Sequence, residues 1–232
     1  MRNPKIKISL ETKKIDIGQY GESEDDTVLG EWETLENQHR KYAGAIGSYV
    51  ISFSQLENSV DSDLATAINE SAHEPGYRII KYLNFRNKIN LLKDDYSAFI
   101  KYFLSAPPKT RLLAEIKVIH NKLCELSEFR NKVVHANWHS LDVSGFVRTK
   151  IVEDNDDVGM EFVKVKMTPG VLLKFRRQNE AMARKLELFR DKVWDTHNRE
   201  DARHYRKMEA LRSGKRISRP KQLLQNQLRV PK

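Results

Sequence analysis

The sequence predicts a mainly α-helical protein, an antiparallel helical bundle with a β-hairpin insertion and a basic C-terminal extension. Apolar residues recur at three- and four-residue steps in five segments, which is the spacing of one buried helix face. Between the fourth and fifth segments the apolar spacing changes to every second residue, which is typical of strands. The connections between the first four segments are short, and short connections make successive helices antiparallel neighbours. With 232 residues the chain can bury one substantial core together with extensions.

The first 30 residues are expected to form an N-terminal arm or loop (1–30). Ile6, Ile8 and Leu10 alternate with polar residues, which favours a short strand or an arm. The segment 18–30 contains the acidic run Glu-Ser-Glu-Asp-Asp and predicts a loop.

The helical domain, expected over 31–212, begins with a long helix predicted for 33–69. The apolar stripe of this helix consists of Ile46, Tyr49, Val50, Phe53, Leu56, Val60, Leu64 and Ile68. Pro75 lies beyond it in a segment that predicts its end. We expect a second helix over 77–92 and a shorter third helix over 95–104, which a proline pair ends.

A fourth helix is predicted for 109–134, and its pattern is the most regular in the chain. Its buried face consists of Leu112, Ile116, Ile119, Leu123 and Leu126. The next two positions on this face are Arg130 and Val133, so an arginine stands where the pattern requires another apolar residue. A guanidinium stays protonated and is not left buried without a partner. Either an acidic side chain such as Glu57 or Glu128 meets Arg130, or the site is open to an anion.

The period-two segment, 141–167, is predicted to be a β-hairpin whose acidic turn lies at 153–157. An isolated hairpin is only marginally stable, so it must pack on the bundle or on a partner. Thr168 and Pro169 then begin the last long helix, as its cap and its first-turn proline. We expect this helix to end somewhere between residues 194 and 211.

Positive charge is concentrated at the C-terminal end of the chain. After residue 197 the sequence has eleven lysines and arginines against three acidic residues, so most of the net charge of +9 lies there. A basic extension on a nearly neutral body indicates a polyanionic partner. Nucleic-acid contact is assigned to Arg212, Lys215, Arg216, Arg219 and Lys221. The alternative is a solvated helix face that continues into a flexible tail, expected over 213–232.

The stretch 128–138, Glu-Phe-Arg-Asn-Lys-Val-Val-His-Ala-Asn-Trp, is the main candidate for a functional site. Asn131 and His135 are four residues apart and share one helix face. Arg130 and His135 are five apart, which is roughly 140° around an ideal helix. They converge on one ligand only if the arginine arm bends over, if the helix ends near His135, or if a second subunit supplies one of them.

These residues resemble the HEPN domains, all-helical nucleotide- or RNA-binding domains, many of which are metal-independent ribonucleases of toxin and antiviral systems. Arg130-Asn131-x3-His135 fits the family's R-x4-6-H pattern, and the earlier Phe-Ser-Gln-Leu-Glu at 53–57 also looks similar. The resemblance covers roughly residues 33–138. It implies that His135 transfers protons, that Arg130 stabilises the phosphate and that Asn131 supports them. It also implies a homodimer that acts on RNA and leaves 2′,3′-cyclic phosphate and 5′-hydroxyl ends.

The function expected from the resemblance is a metal-independent endoribonuclease in toxin or abortive-infection defence, with an antitoxin or regulatory protein as a further partner. A second hypothesis is a non-catalytic RNA- or nucleotide-binding or regulatory module, and a third is an interaction subunit that pairs with another protein. In a purely structural alternative, Arg130 closes a salt bridge to a core acid and His135 caps the end of the helix.

The four residues Phe-Arg-Asn-Lys at 129–132 also occur at 85–88, although the earlier copy has Leu91 where the later one has His135. We interpret this repeat as coincidence or common helix chemistry and not as a second site.

The sequence lacks the residues that disulfides, zinc sites and the common nucleotide-binding motifs require. The single cysteine, Cys124, excludes an internal disulfide and a cysteine-based zinc site, and we expect a buried reduced thiol. His135 and His139 have the spacing of two zinc ligands, but no third ligand and no catalytic glutamate accompany them. No P-loop or dinucleotide-binding glycine pattern is present. We therefore expect no metal, no cofactor, no membrane association and a cytoplasmic protein.

Overall fold

A computed structural model describes residues 10–16, 29–69, 73–153 and 160–213. The elements in chain order are β1 (Thr12–Asp16), α1 (Leu29–Ile68), α2 (His73–Ile80), α3 (Phe85–Phe103), α4 (Pro108–Val134), β2 (Phe146–Glu153), β3 (Met160–Lys166) and α5 (Pro169–Arg212). The predicted fold class, mainly helical with a β-hairpin insertion, is confirmed. Ile6 and Ile8, the acidic run after residue 18, most of the hairpin turn and the tail from 214 onward lie outside the described residues.

The two longest helices, α1 and α5, pack side by side and run in the same direction. Asn179 donates its side-chain amide to the hydroxyl of Ser52 over 3.0 Å, and Arg190 meets Asp63 at 3.0 Å. The two contacting residues are 127 positions apart in the sequence at both points, so the two helices run parallel. The successive pairs α3–α4 and α4–α5 are antiparallel. The first of these pairs has the short connection from which the antiparallel arrangement was predicted.

Helices α3 and α4 form an antiparallel hairpin against α1 and α5. His120 of α4 lies 2.8 Å from the side-chain oxygen of Asn90 on α3, and the buried apolar face predicted for α4 is confirmed. Cys124 is buried, as expected, and burial raises the pKa of its thiol. A raised pKa keeps the sulfur protonated and unreactive.

The prediction of one helix over 77–92 is wrong, because residues 81–84 are not helical. One continuous helix then runs from Phe85 to Phe103. The break has no proline or glycine to signal it. Its signal is Asn84, the N-cap of α3, whose side chain accepts a hydrogen bond from the Asn87 amide at 2.9 Å. Pro75 also lies inside α2 and not in a loop.

A close backbone approach holds α2 against α1. A Cβ atom on Gly76 would lie 2.6 Å from both the Cα and the carbonyl oxygen of Ala65, which is completely buried. Only glycine therefore allows α2 to lie this near. Beyond α2 the chain stays beside α1, because the Phe85 ring at the start of α3 packs 5.1 Å from the Phe53 ring.

The three strands form an antiparallel sheet in the order β1-β3-β2. Thr12 and Val147 both align with Val165 of the central strand, and a bulge interrupts β2 between Arg148 and Lys150. The predicted hairpin is thus confirmed, with an additional edge strand from the N-terminal segment. Val147, Val163 and Val165 belong to the same buried cluster as the helices, so the hairpin packs on the bundle.

The sheet is attached to the bundle at the end of α4. The Trp138 indole donates a hydrogen bond to the Val133 carbonyl over 2.9 Å, and the Asn137 amide donates to the Arg148 carbonyl over 2.8 Å. Gly145 has a φ of 83° and lies against the Tyr42 hydroxyl of α1, where a side chain would clash. None of the helices in the described ranges carries an apolar stretch long enough to cross a bilayer.

Candidate functional site

Two aromatic side chains on α1, one turn apart, anchor the ends of α3 and α4. Phe129 of α4 packs edge-on against Tyr49 with ring centroids 5.3 Å apart and stacks on Phe175 of α5 at 3.5 Å. Phe85 at the start of α3 packs edge-on against Phe53 at 5.1 Å. Because both phenylalanines are held on α1, the arginine that follows each of them is directed to the same region.

That region is a cavity of about 550 Å³ bordered by α1, α3, α4 and the segment before α3. Its lining residues are Phe53, Glu57, Leu83, Asn84, Phe85, Arg86, Lys88, Ser127, Arg130 and Asn131. Small-ligand sites typically have volumes of roughly 300–1,000 Å³. Two of the three residues predicted to be catalytic, Arg130 and Asn131, therefore lie at one cavity.

Arg130 is half-buried and has no carboxylate oxygen within 4 Å among the described residues. Its guanidinium contacts the side-chain oxygen of Asn131 at 3.4 Å and lies 5.9 Å from the centre of the Phe53 ring. Of the two acids considered as partners, Glu128 instead lies 3.9 Å from Arg86. The salt bridge of the structural alternative is thus not formed with either acid, and the Arg130 guanidinium can receive an anion.

Glu57 is half-buried on the cavity wall and has no hydrogen bond or ion pair within 4 Å to another described side chain. Burial raises the pKa of its carboxyl, and the positive charges of Arg130 and Lys88 offset part of that increase. Lys88 itself is paired with Asp61 at 2.8 Å. Among the described residues, neither arginine of the cavity has a buried carboxylate within 4 Å, and the Glu57 carboxylate forms no ion pair.

His135 occupies the C-cap position of α4, and its backbone amide donates to the Asn131 carbonyl over 3.0 Å. The helix therefore ends at the histidine, which is one of the conditions under which Arg130 and His135 could act together. The imidazole is exposed to solvent but is not among the groups that line the cavity. A single chain therefore places Arg130 and Asn131 at the cavity and leaves His135 exposed outside it.

The predicted nucleic-acid-binding residues are only partly within the described structure. Arg212 is exposed in the last turn of α5, whereas Lys215, Arg216, Arg219 and Lys221 lie outside the described residues. From residue 201 to 209 every side chain of α5 is exposed, so this helix extends past the bundle. Arg199, Arg203 and Arg206 form a basic stripe along it.

Two cavity residues, Arg86 and Lys88, were not predicted as site residues. The signal was present in the repeated Phe-Arg-Asn-Lys, which we interpreted as common helix chemistry. In three dimensions the arginines of both copies line one cavity. Among the described residues no cluster of three histidine, cysteine or acidic side chains could hold a metal ion.

The chain was compared with protein-family models, with curated proteins and with solved structures, and no match was found in any of them.

Proposed function

We propose that the cavity binds the phosphodiester backbone of RNA and that the protein is a metal-independent endoribonuclease. The observation that carries this proposal is the placement of Arg130 and Asn131 on the wall of one cavity, with no carboxylate within 4 Å of the guanidinium among the described residues. A half-buried arginine in this setting is suited to an anion with several oxygens, because its planar fork donates two parallel hydrogen bonds.

The chemistry follows from the three side chains. The RNA 2′-hydroxyl loses its proton and attacks the phosphorus, and the bond to the leaving 5′-oxygen breaks as that oxygen gains a proton. His135 serves these proton transfers, because an imidazole ring can both accept and donate a proton. Arg130 stabilises the charge on the non-bridging oxygens, and Asn131 hydrogen-bonds the phosphate. The products are a 2′,3′-cyclic phosphate and a 5′-hydroxyl.

A homodimer supplies the complete site in this proposal. Within one chain the exposed His135 lies outside the set of cavity-lining residues. A second chain with its helix end facing the first would place its histidine over the arginine of its partner. The resemblance to HEPN domains supports the same arrangement, and it also supplies the biological context, toxin or abortive-infection defence with an antitoxin or regulatory protein as partner.

The basic end of α5 and the tail add affinity for RNA without sequence preference. Each phosphate neutralised on a single strand contributes roughly 0.7 to the slope of log affinity against log salt. Removing residues 212–232 should therefore weaken binding and flatten this slope. Unchanged affinity and slope in the truncated protein would contradict this role.

The second candidate is an RNA-binding or regulatory module that does not cut. The position of His135 outside the cavity-lining residues favours it, because a binding site needs only the residues that line the cavity. This version gives RNA affinity without new 5′-hydroxyl ends.

Cleavage of a labelled structured RNA in EDTA tests the choice, with end-group analysis of the products. The wild type should leave cyclic phosphate ends, and His135→Ala should leave the RNA intact. His139→Ala is the matched control, because His139 is also exposed but lies outside the motif. Intact RNA after incubation with folded wild type, across several RNAs, would reject the nuclease in favour of the binding module.

A further inference from the structure

The cavity contains two arginines, one from each copy of Phe-Arg-Asn-Lys. Arg130 comes from the last turns of α4 and Arg86 from the first turn of α3. Among the described residues, the one ion pair of Arg86 is with the exposed carboxylate of Glu128, at 3.9 Å. An exposed pair at this separation contributes little, so Arg86 is available to a ligand. Two available arginines at one cavity suit a single polyanionic group such as a phosphate.

The carboxylate of Glu57 faces the same cavity and needs a different kind of ligand group. A phosphate would repel it, whereas hydrogen-bond donors would satisfy it. No described side chain hydrogen-bonds to this carboxylate or forms an ion pair with it. A ligand that fits both parts of the cavity therefore presents an anion to the arginines and one or more N–H groups to Glu57.

A nucleotide has this combination of groups. Its phosphate is the anion, and its base edge carries the N–H donors. Leu83 and Phe85 give the cavity an apolar side against which a base can lie, and aromatic stacking of single-stranded bases is common in RNA-binding proteins. The cavity volume of about 550 Å³ lies within the usual range for one small ligand.

We propose that the cavity is a subsite for one nucleotide of the RNA, in which Arg86 and Arg130 together hold a phosphate and Glu57 reads the base as guanine. Guanine fits because its neighbouring N1–H and N2–H groups can donate two parallel hydrogen bonds to one carboxylate. Adenine and cytosine offer a single amino group at this edge, and uracil offers one ring N–H. The inference rests on the proposed function only in taking RNA as the ligand, and it holds whether or not the RNA is cut.

Binding is measured in the full-length chain with His135→Ala, so that cleavage does not interfere. The probes are fluorescently labelled hexauridylates with a single central guanosine or adenosine, and the signal is anisotropy at several salt concentrations. The affinity for the guanosine probe should be at least about tenfold higher than for the adenosine probe, because one good bidentate base contact discriminates by roughly that factor. Glu57→Gln should abolish most of this preference.

Arg86→Ala should weaken both probes and lower the slope of log affinity against log salt by roughly 0.7, the effect of one lost phosphate contact. Arg111→Ala is the matched control, since Arg111 is exposed at the opposite end of α4. Circular dichroism of each variant establishes that it is folded.

Two results would overturn the inference. One is an unchanged guanosine preference in Glu57→Gln, and the other is an Arg86→Ala variant that binds like Arg111→Ala. Neither result depends on the cleavage assay. If the wild type cuts RNA but the predicted binding effects are missing, the nucleotide subsite alone is rejected. If the binding effects are found but no RNA is cut, only the proposed nuclease activity is rejected.

Discussion

Replacing Gly76 by alanine tests the close backbone approach of α2 to α1, and two simple arguments give opposite signs for its effect. Gly76 lies inside α2, where intrinsic helix propensity favours alanine by about 1 kcal/mol. The tertiary structure argues against alanine, because the new Cβ would lie 2.6 Å from backbone atoms of Ala65. The backbone atoms of the buried Ala65 cannot rotate away as the end of a side chain can.

The magnitude follows from the geometry. Overpacking of a buried contact costs about 1–3 kcal/mol, and a 2.6 Å contact with backbone atoms belongs at the upper end of that range. After the gain in helix propensity, the free energy of unfolding should fall by about 2 kcal/mol. With an m-value of about 2 kcal/mol/M, the urea midpoint would fall by about 1 M.

Urea denaturation followed by circular dichroism measures the effect, and α1 provides the matched controls. Gly44 and Gly47 also lie inside a helix, but a Cβ on either of them would meet nothing within 4 Å. Alanine at these positions should raise the free energy of unfolding by up to about 1 kcal/mol. If Gly76→Ala is as stable as these controls, α2 does not lie on Ala65 as described.

Three further predictions concern the site and the core. His135→Ala should change the free energy of unfolding by less than about 0.5 kcal/mol in urea denaturation, because the imidazole is exposed; a larger loss would show that the residue is structural. Phe129→Ala should lower the free energy of unfolding by about 3–5 kcal/mol, because the ring is buried and stacked on Phe175. The control is Phe103→Ala, which should cost much less because this side chain is 58% exposed. Equal losses in the two variants would contradict the burial of Phe129. Burial raises the pKa of Asp63 above its ordinary value of 3.8, so this carboxyl favours the folded state most at low pH and less as the pH rises through the raised pKa. The stability of Asp63→Asn relative to wild type should therefore increase from about pH 3.8 upward in a pH series of unfolding curves, and a decrease would reverse the sign argued here.

Much of the helical architecture could be predicted from local patterns. The buried face of α4 follows from the spacing of its apolar residues, and the start of α5 follows from Thr168, whose hydroxyl accepts a hydrogen bond from the Val171 amide. Patterns of this kind predict well where one face is buried throughout. They fail at the break before α3, because the apolar spacing runs through it and the N-cap Asn84 is the only local signal.

The arrangement of long-range partners depended on the tertiary structure. The parallel pairing of α1 with α5 rests on contacts between residues 127 positions apart, such as Asn179 with Ser52, which no local window contains. The addition of β1 to the sheet likewise joins residues far apart in the chain.

The sequence by itself determined the helical class, the hairpin and the unusual arginine in the α4 stripe, because each depends on spacing within one segment. Only the tertiary structure decided what surrounds Arg130. It placed Arg86 and Glu57 at the same cavity and left His135 exposed beyond the helix end. The physical reason is that a binding site is a matter of proximity between segments, and proximity is set by the packing of Phe85 and Phe129 onto α1.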